Sequence, residues 1–104
     1  MARNTRKEPS MAMYEAIVRI KDVDECCRFF EDLCAVTELR AIEQRFDVAS
    51  LLCQNKVYTE IMEKTNASSA TISRVNRMLN YGTGCLAAII GEQLEDKAAE
   101  ESDK

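Results

Sequence analysis

Apolar residues recur every three or four positions along most of the chain, which is the spacing that places them on one side of an α-helix. Short polar or glycine-containing stretches divide this pattern into six segments. The predicted helices cover residues 11–20, 23–35, 38–54, 58–64, 69–80 and 85–94. Only three glycines and one proline interrupt the chain, and residues that favour helices are abundant. The sequence therefore predicts an all-α fold of six helices.

Polar residues at the predicted helix starts support these boundaries. Ser10, Asp22, Thr37 and Ser68 each precede an apolar segment. A side-chain oxygen at such a position caps a helix by accepting a backbone N–H. The stretch 81–84 is expected to end the fifth helix, because glycine readily adopts the left-handed backbone conformation found at helix C-termini.

The length of 104 residues matches a single domain of about 100–150 residues. A core of this size is only marginally stable alone, so association between copies would supply further burial. The predicted organisation is a flexible arm over residues 1–9, a helical domain over residues 10–94 and an acidic tail over residues 95–104.

The net charge of −4 is unevenly distributed along the chain. Residues 92–104 contain six acidic side chains, whereas residues 56–77 contain four basic and two acidic ones. The electric field near a binding surface depends on the local charge rather than on the total. The net charge therefore neither supports nor excludes a nucleic-acid partner.

Five cysteines and no histidine are present, in no spacing suited to zinc. We therefore expect no metal, and interpret the cysteines as small buried residues of a reducing cytoplasm. A redox role for Cys26 and Cys27 is the weaker alternative. Without a histidine base, a G-x-S-x-G motif or a phosphate-binding glycine loop, the sequence predicts no catalytic residues. No apolar run is long enough to cross a membrane, so we expect a cytoplasmic protein with no membrane partner.

Residues 58–80 carry the most informative pattern of the chain. The segment contains two predicted helices joined by a tight turn, where Ala67 is small enough to let the helices approach and Asn66 tolerates a positive φ. Ile72, Val75 and Leu79 follow the i, i+3, i+7 spacing of an inward-facing stripe. Two short helices that cross steeply in this way form a helix-turn-helix.

The outward side of the second of these helices has the chemistry needed for DNA contact. Its N-terminal residues are short, so the helix can approach base edges closely, and its two arginines can reach guanine or phosphate. Free amides at the helix start can receive a phosphate oxygen, aided by the helix dipole. The predicted DNA-binding residues are Thr59, Ser68, Ser69, Ala70, Ser73, Arg74 and Arg77. We therefore expect double-stranded DNA as the partner of a nucleoid-associated regulator of transcription.

The alternative interpretation is an amphipathic helical hairpin that binds a protein partner and not DNA. A hairpin of that kind would more often carry Glu and Lys at the N-terminal turn of its exposed side. The short polar residues found there favour DNA binding, although they do not identify the bases that are read.

From about Thr37 to Ile90 the sequence resembles the Trp-repressor superfamily and, more closely, its YerC/YecD-type branch. The most specific match is residues 70–74 (ATISR), preceded by a short helix and by the two leucines 51–52 at the end of a longer one. The resemblance implies a sequence-specific repressor whose N-terminal helices interlock in an intertwined homodimer. Such a dimer would present two recognition helices about 34 Å apart to a near-palindromic operator.

The resemblance also implies a pocket for a small-molecule co-repressor. Its walls would be Arg45, Thr71, Arg74, Val75 and Met78. Val75 stands where the repressor has Gly and Met78 where it has Ser, and an added isopropyl group overpacks a tight cavity at a cost of about 1–3 kcal/mol. This argues against tryptophan, and leaves open whether another co-repressor, or none, is used. For Arg45, a salt bridge with Glu43 or Asp47 is the simpler interpretation.

Overall fold

The structure is a computed structural model that describes residues 8–102, and over those residues it contains six α-helices and no strand. The helices are α1 (Met11–Ile17), α2 (Val23–Leu33), α3 (Val36–Cys53), α4 (Tyr58–Thr65), α5 (Ser69–Tyr81) and α6 (Cys85–Ser102). The predicted all-α, six-helix fold is confirmed. Most of the predicted arm, residues 1–7, and the last two residues of the predicted tail lie outside the described residues.

Side-chain caps fix the first two helix starts as predicted. The Ser10 hydroxyl oxygen accepts the backbone N–H of Met13 at 3.4 Å. A carboxylate oxygen of Asp22 accepts the backbone N–H of Glu25 at 2.8 Å. Each bond satisfies one of the N–H groups that a helix start leaves without a partner.

Helix α3 begins at Val36, earlier than the predicted start at Glu38. The carboxylate of Glu38 accepts the backbone N–H of Ala35 at 2.8 Å, and the Ala35 carbonyl accepts the N–H of Leu39 at 2.9 Å. Glu38 thereby acts as the acidic residue of a capping box does. Ala35, and not the predicted Thr37, therefore occupies the N-cap position that precedes α3.

The end of α3 is a Schellman motif built on an asparagine. Asn55 has a φ of 63°. Its N–H donates to the carbonyl of Leu52 at 3.0 Å, and the N–H of Lys56 donates to the carbonyl of Leu51 at 3.1 Å. These bonds satisfy carbonyls at the helix end that would otherwise lack a protein partner.

Helix α6 continues to Ser102, beyond Leu94, where the apolar pattern predicted its end. The added stretch contains mainly Ala, Glu and Lys, which are strong helix formers, and neither Gly nor Pro follows Gly91. The described part of the predicted acidic tail is therefore helical, with exposed side chains. Helix propensity extends α6 where apolar burial no longer does.

The described part of the chain forms two compact units, which divide between Leu39 and Arg40. In the first unit, α1 and α2 contain no buried residue. Large apolar side chains are accessible there: Val18 and Val23 are each 80% exposed, and Leu33 is 54% exposed. The described part of this unit therefore has many apolar side chains and no core of its own.

The second unit contains the hydrophobic core. Its buried residues come from α3, α4, α5 and α6 and from the turn between α4 and α5. They are Val48, Ala49, Ile61, Ala67, Ile72, Val75 and Ile90. Because each large aliphatic side chain contributes about 1.5–3 kcal/mol when fully buried, these residues hold α5 against the other helices of the unit.

The cysteines are less buried than the sequence predicts. Cys27 and Cys85 are exposed, whereas Cys26, Cys34 and Cys53 are half-buried, and all five are free thiols. Three of the five belong to the first unit, whose described residues form no core. Cys85 is the first residue of α6.

Two glycines connect α5 to α6 for different physical reasons. Gly84 has a φ of +92°, which L side chains rarely adopt. Gly82 has a φ of −83°, so the predicted left-handed conformation is wrong for this residue. A Cβ atom on Gly82 would lie 2.6 Å from the carbonyl oxygen of Met78. Close backbone approach, and not backbone conformation, requires glycine at this position.

Among residues 8–102, the structure contains no helix that is long and apolar enough to span a membrane. Within the same residues, acidic and cysteine side chains form no cluster that could hold a metal ion.

Replacing Gly82 with Ala should lower the free energy of unfolding by about 1–3 kcal/mol, because the added Cβ collides with a backbone carbonyl. The matched control is Gly91→Ala, where open space surrounds the added Cβ and alanine is favoured over glycine inside a helix by about 1 kcal/mol. Urea unfolding followed by circular dichroism measures both variants. Equal stabilities would contradict the close approach at Gly82.

Candidate nucleic-acid interface

A tight turn joins α4 to α5 and sets the direction in which α5 starts. Helix α4 ends at Thr65, and Asn66 has a φ of 61°, which confirms the left-handed position predicted for it. The Thr65 hydroxyl donates to the carbonyl of Ile61 at 2.8 Å and accepts the N–H of Ala67 at 3.1 Å. Ala67 is 4% exposed, so a small residue fills the place where the two helices meet.

A side chain of α3 also contacts this turn. The Gln44 amide nitrogen donates to the carbonyl oxygen of Thr65 at 3.0 Å, in a partly buried position. Because Thr65 is the last residue of α4, its carbonyl has no acceptor role within that helix. Gln44 could not be identified from the sequence, because a partner that is 21 positions away leaves no local signal.

Ser68 caps α5, as the sequence predicts. Its hydroxyl oxygen accepts the backbone N–H of Thr71 at 3.1 Å, and its hydroxyl group lies 3.1 Å from the Thr71 hydroxyl oxygen. Thr71, expected from the resemblance to line a co-repressor pocket, thus takes part in the cap through both its backbone and its side chain. The cap keeps the first turn of α5 helical up to its exposed end.

The two sides of α5 differ sharply in burial. Ile72 and Val75 are 0% and 1% exposed and form the inner side. Of the seven predicted DNA-binding residues, six are exposed and Ser73 is half-buried. The exposed six are Thr59 on α4, the cap Ser68, and Ser69, Ala70, Arg74 and Arg77 on α5. All seven are therefore accessible on the second unit, and their contact with DNA stays a prediction.

Two of the three charged side chains of α4, Glu60 and Lys64, are paired with each other, whereas the two arginines of α5 are not paired. Lys64 forms a salt bridge with Glu60 at 2.9 Å. The hydrogen bond that the Lys64 ammonium donates to the Glu60 carboxylate lowers the pKa of Glu60, and the positive charges of Lys64 and Lys56 lower it further. Arg74 and Arg77 form no salt bridge with any acidic residue that the structure describes. Their guanidinium groups are therefore available to an anionic ligand.

An open groove of about 570 Å³ lies beside the C-terminal half of α5. Its lining combines the two arginines with apolar side chains of α5 and α6 and the link between those helices. The lining residues are Arg74, Arg77, Met78, Leu79, Tyr81, Gly82, Thr83, Gly84, Leu86 and Ala87. Tyr81, which is 84% exposed, was not identified from the sequence, although it follows Arg74 and Arg77 at helical spacing.

Only part of the predicted co-repressor pocket coincides with this groove. Arg74 and Met78 line it, whereas Arg45, Thr71 and Val75 do not. Val75 is enclosed in the core, and Arg45 is exposed on α3. Over the described residues, Arg45 forms no salt bridge with its acidic neighbours on α3, so that simpler interpretation is not supported either.

Comparisons with known proteins agree on one family. Residues 10–94 match the family described as Trp repressor protein. The uncharacterized protein YerC of Bacillus subtilis is 39% identical over 92 residues, which cover 88% of each chain. Among solved structures, a TrpR-like protein from Eubacterium eligens is 44% identical with a TM-score of 0.76, over 80% of this chain and 86% of that one. A candidate Trp repressor from Staphylococcus aureus is 36% identical with the same TM-score of 0.76, over 80% and 83%.

Proposed function

This chain belongs to the Trp repressor protein family, and we propose that it is a sequence-specific repressor of transcription that inserts α5 into the major groove of DNA. The family supports a DNA-binding regulator rather than an enzyme. A repressor of this kind would act in the cytoplasm, on the nucleoid.

The exposed side of α5 is the observation that carries this proposal. A major groove about 12 Å wide admits one α-helix, provided that the leading side chains are short. Ser69, Ala70 and Ser73 meet that condition at the N-terminal half of α5. Arg74 and Arg77 follow on the exposed side, where a guanidinium group can bind guanine or a phosphate.

The remaining predicted contacts concern the DNA backbone. The N-terminus of α5, capped by Ser68, presents backbone amides and the positive end of the helix dipole to a phosphate. Thr59 is exposed on α4, the helix that crosses the backbone in this mode of docking. Backbone contacts of this kind position the protein, while the residues of α5 read the sequence.

A homodimer is the second part of the proposal. The described residues of the first unit bury no side chain, although Val18, Val23 and Leu33 expose large apolar surfaces. A second copy of the chain would cover that surface and supply the missing core. Two-fold symmetry would then repeat α5 along one side of the duplex and favour a near-palindromic operator.

Tryptophan is not the co-repressor in this proposal. A residue that walls a ligand pocket must offer surface to the ligand, and Val75 is 1% exposed because the core encloses its isopropyl group. Enlarging the pocket would therefore require the core to move. A co-repressor of different shape, or none, is compatible with the groove beside Arg74 and Met78.

Replacing Arg74 and Arg77 together with Ala should weaken binding to a duplex selected from a random pool, because each base-reading arginine contributes about 1–3 kcal/mol. A mobility-shift titration at several salt concentrations measures the loss. Arg40→Ala, at an exposed arginine of α3, is the matched control and should bind as the parent does. Parental affinity in the double variant would contradict the proposal, and binding insensitive to salt would favour the protein-interaction alternative.

Replacing Leu33 with Asp should convert a dimer into a monomer, because a charge would enter the apolar surface that a second copy covers. Sedimentation velocity measures the mass of each species. Ala99→Asp adds the same charge to an exposed position of α6 and should leave the dimer intact. A monomeric parent chain, at concentrations well above those used for DNA binding, would rule out the dimer.

Adding L-tryptophan to the parent chain should produce no saturable heat in a calorimetric titration, because Val75 offers it almost no surface. DNA affinity measured with and without tryptophan should also be equal. Saturable binding of tryptophan, with tighter DNA binding in its presence, would show that the core around Val75 opens.

A further inference from the structure

We propose that Gln44 is a positioning residue that fixes the direction in which α5 is presented to DNA. The proposal rests on the DNA-binding function proposed above, but the contact itself does not depend on it. Across the part of the chain that the structure describes, the bond from Gln44 to Thr65 is the only side-chain hydrogen bond that joins two different helices. The others connect residues no more than four positions apart.

The acceptor of this bond lies at the point where the chain changes direction. The Thr65 hydroxyl holds the carbonyl of Ile61 on one side and the N–H of Ala67 on the other. The Thr65 carbonyl, which α4 leaves without an internal partner, is held by Gln44. The left-handed Asn66 follows at once, and α5 starts three residues later. The turn is therefore fixed both by its own hydroxyl and by α3.

Apolar packing alone would not define this direction as sharply. The inner side chains of α5, Ile72 and Val75, are buried in the core, but apolar contacts are non-directional. A hydrogen bond weakens steeply as its angle departs from linear. Base readout needs a geometry held within about 0.5 Å and 10–20°. We therefore expect the directional hydrogen bond at Thr65 to affect sequence-specific binding more than non-specific binding.

Specific and non-specific DNA binding should therefore respond differently to loss of the Gln44 amide. Non-specific binding depends on charge and tolerates a range of orientations. Specific binding requires the short residues of α5 to meet defined base edges. A variant that lacks the bond but keeps every charge should lose discrimination between sequences and keep its general affinity for DNA.

The test compares Gln44→Met, which preserves length and removes the donor, with Gln54→Met. Gln54 is the matched control because it directly follows α3 and its amide donates only to Ser50 of that helix. The probes are a duplex selected from a random pool and a duplex of scrambled sequence. Gln44→Met should lower the ratio of the two affinities about three- to tenfold, the effect of one lost hydrogen bond. The salt dependence and the affinity for the scrambled duplex should stay at parental values.

Amide hydrogen exchange provides a readout that needs no DNA. In Gln44→Met, the N–H groups of residues 66–68 should exchange several times faster than in the parent chain, whereas those of Gln54→Met should not change. An unchanged affinity ratio, or unchanged exchange at the turn, would overturn the positioning role. A parallel loss of both affinities with a lower melting temperature would reduce Gln44 to a stabilising residue. If no duplex were enriched from the pool, the proposed function would fail, and exchange alone would decide on Gln44.

Discussion

The burial of one side of α5 is the constraint on which the second unit depends. Ile72 and Val75 are almost completely enclosed by residues of α3, α4 and α6. Since a helix turns once every 3.6 residues, fixing those two side chains also fixes which residues point away from the core. Ser69, Ala70 and Arg77 are exposed for that reason. The side of α5 proposed to contact DNA is thus determined by the side that the core buries.

The sequence predicted best what depends on neighbours within a few positions. The helices, the caps at Ser10, Asp22 and Ser68, and the positive φ at Asn66 all follow from short-range spacing and residue type, and the structure confirms them. The extension of α6 to Ser102 was missed because the apolar pattern fades before the helix does. The residues after Leu94 favour a helix but are exposed, so the spacing of apolar residues does not reveal them.

Contacts between distant positions could not be derived in the same way. The bond from Gln44 to Thr65 and the close approach of Gly82 to Met78 depend on how helices pack, which the order of residues does not state. The resemblance predicted five residues for the co-repressor pocket. In the structure, Val75 is buried in the core and Thr71 forms hydrogen bonds with the cap residue Ser68. The predicted DNA-binding residues are accessible, and only experiments with DNA test their roles. In the first unit, periodicity showed which sides are apolar without showing what covers them.

Both left-handed positions that flank α4 are occupied by asparagine, at Asn55 and Asn66. Glycine would adopt the same backbone angles with less strain, but a glycine-containing chain samples many more conformations before it folds. Asparagine narrows that unfolded ensemble, so less conformational entropy is lost when the segment between the two residues becomes ordered. The turns on both sides of α4 are therefore restricted in conformation already in the unfolded chain. Replacing either asparagine with glycine would relieve backbone strain in the folded protein and increase the conformational entropy of the unfolded one.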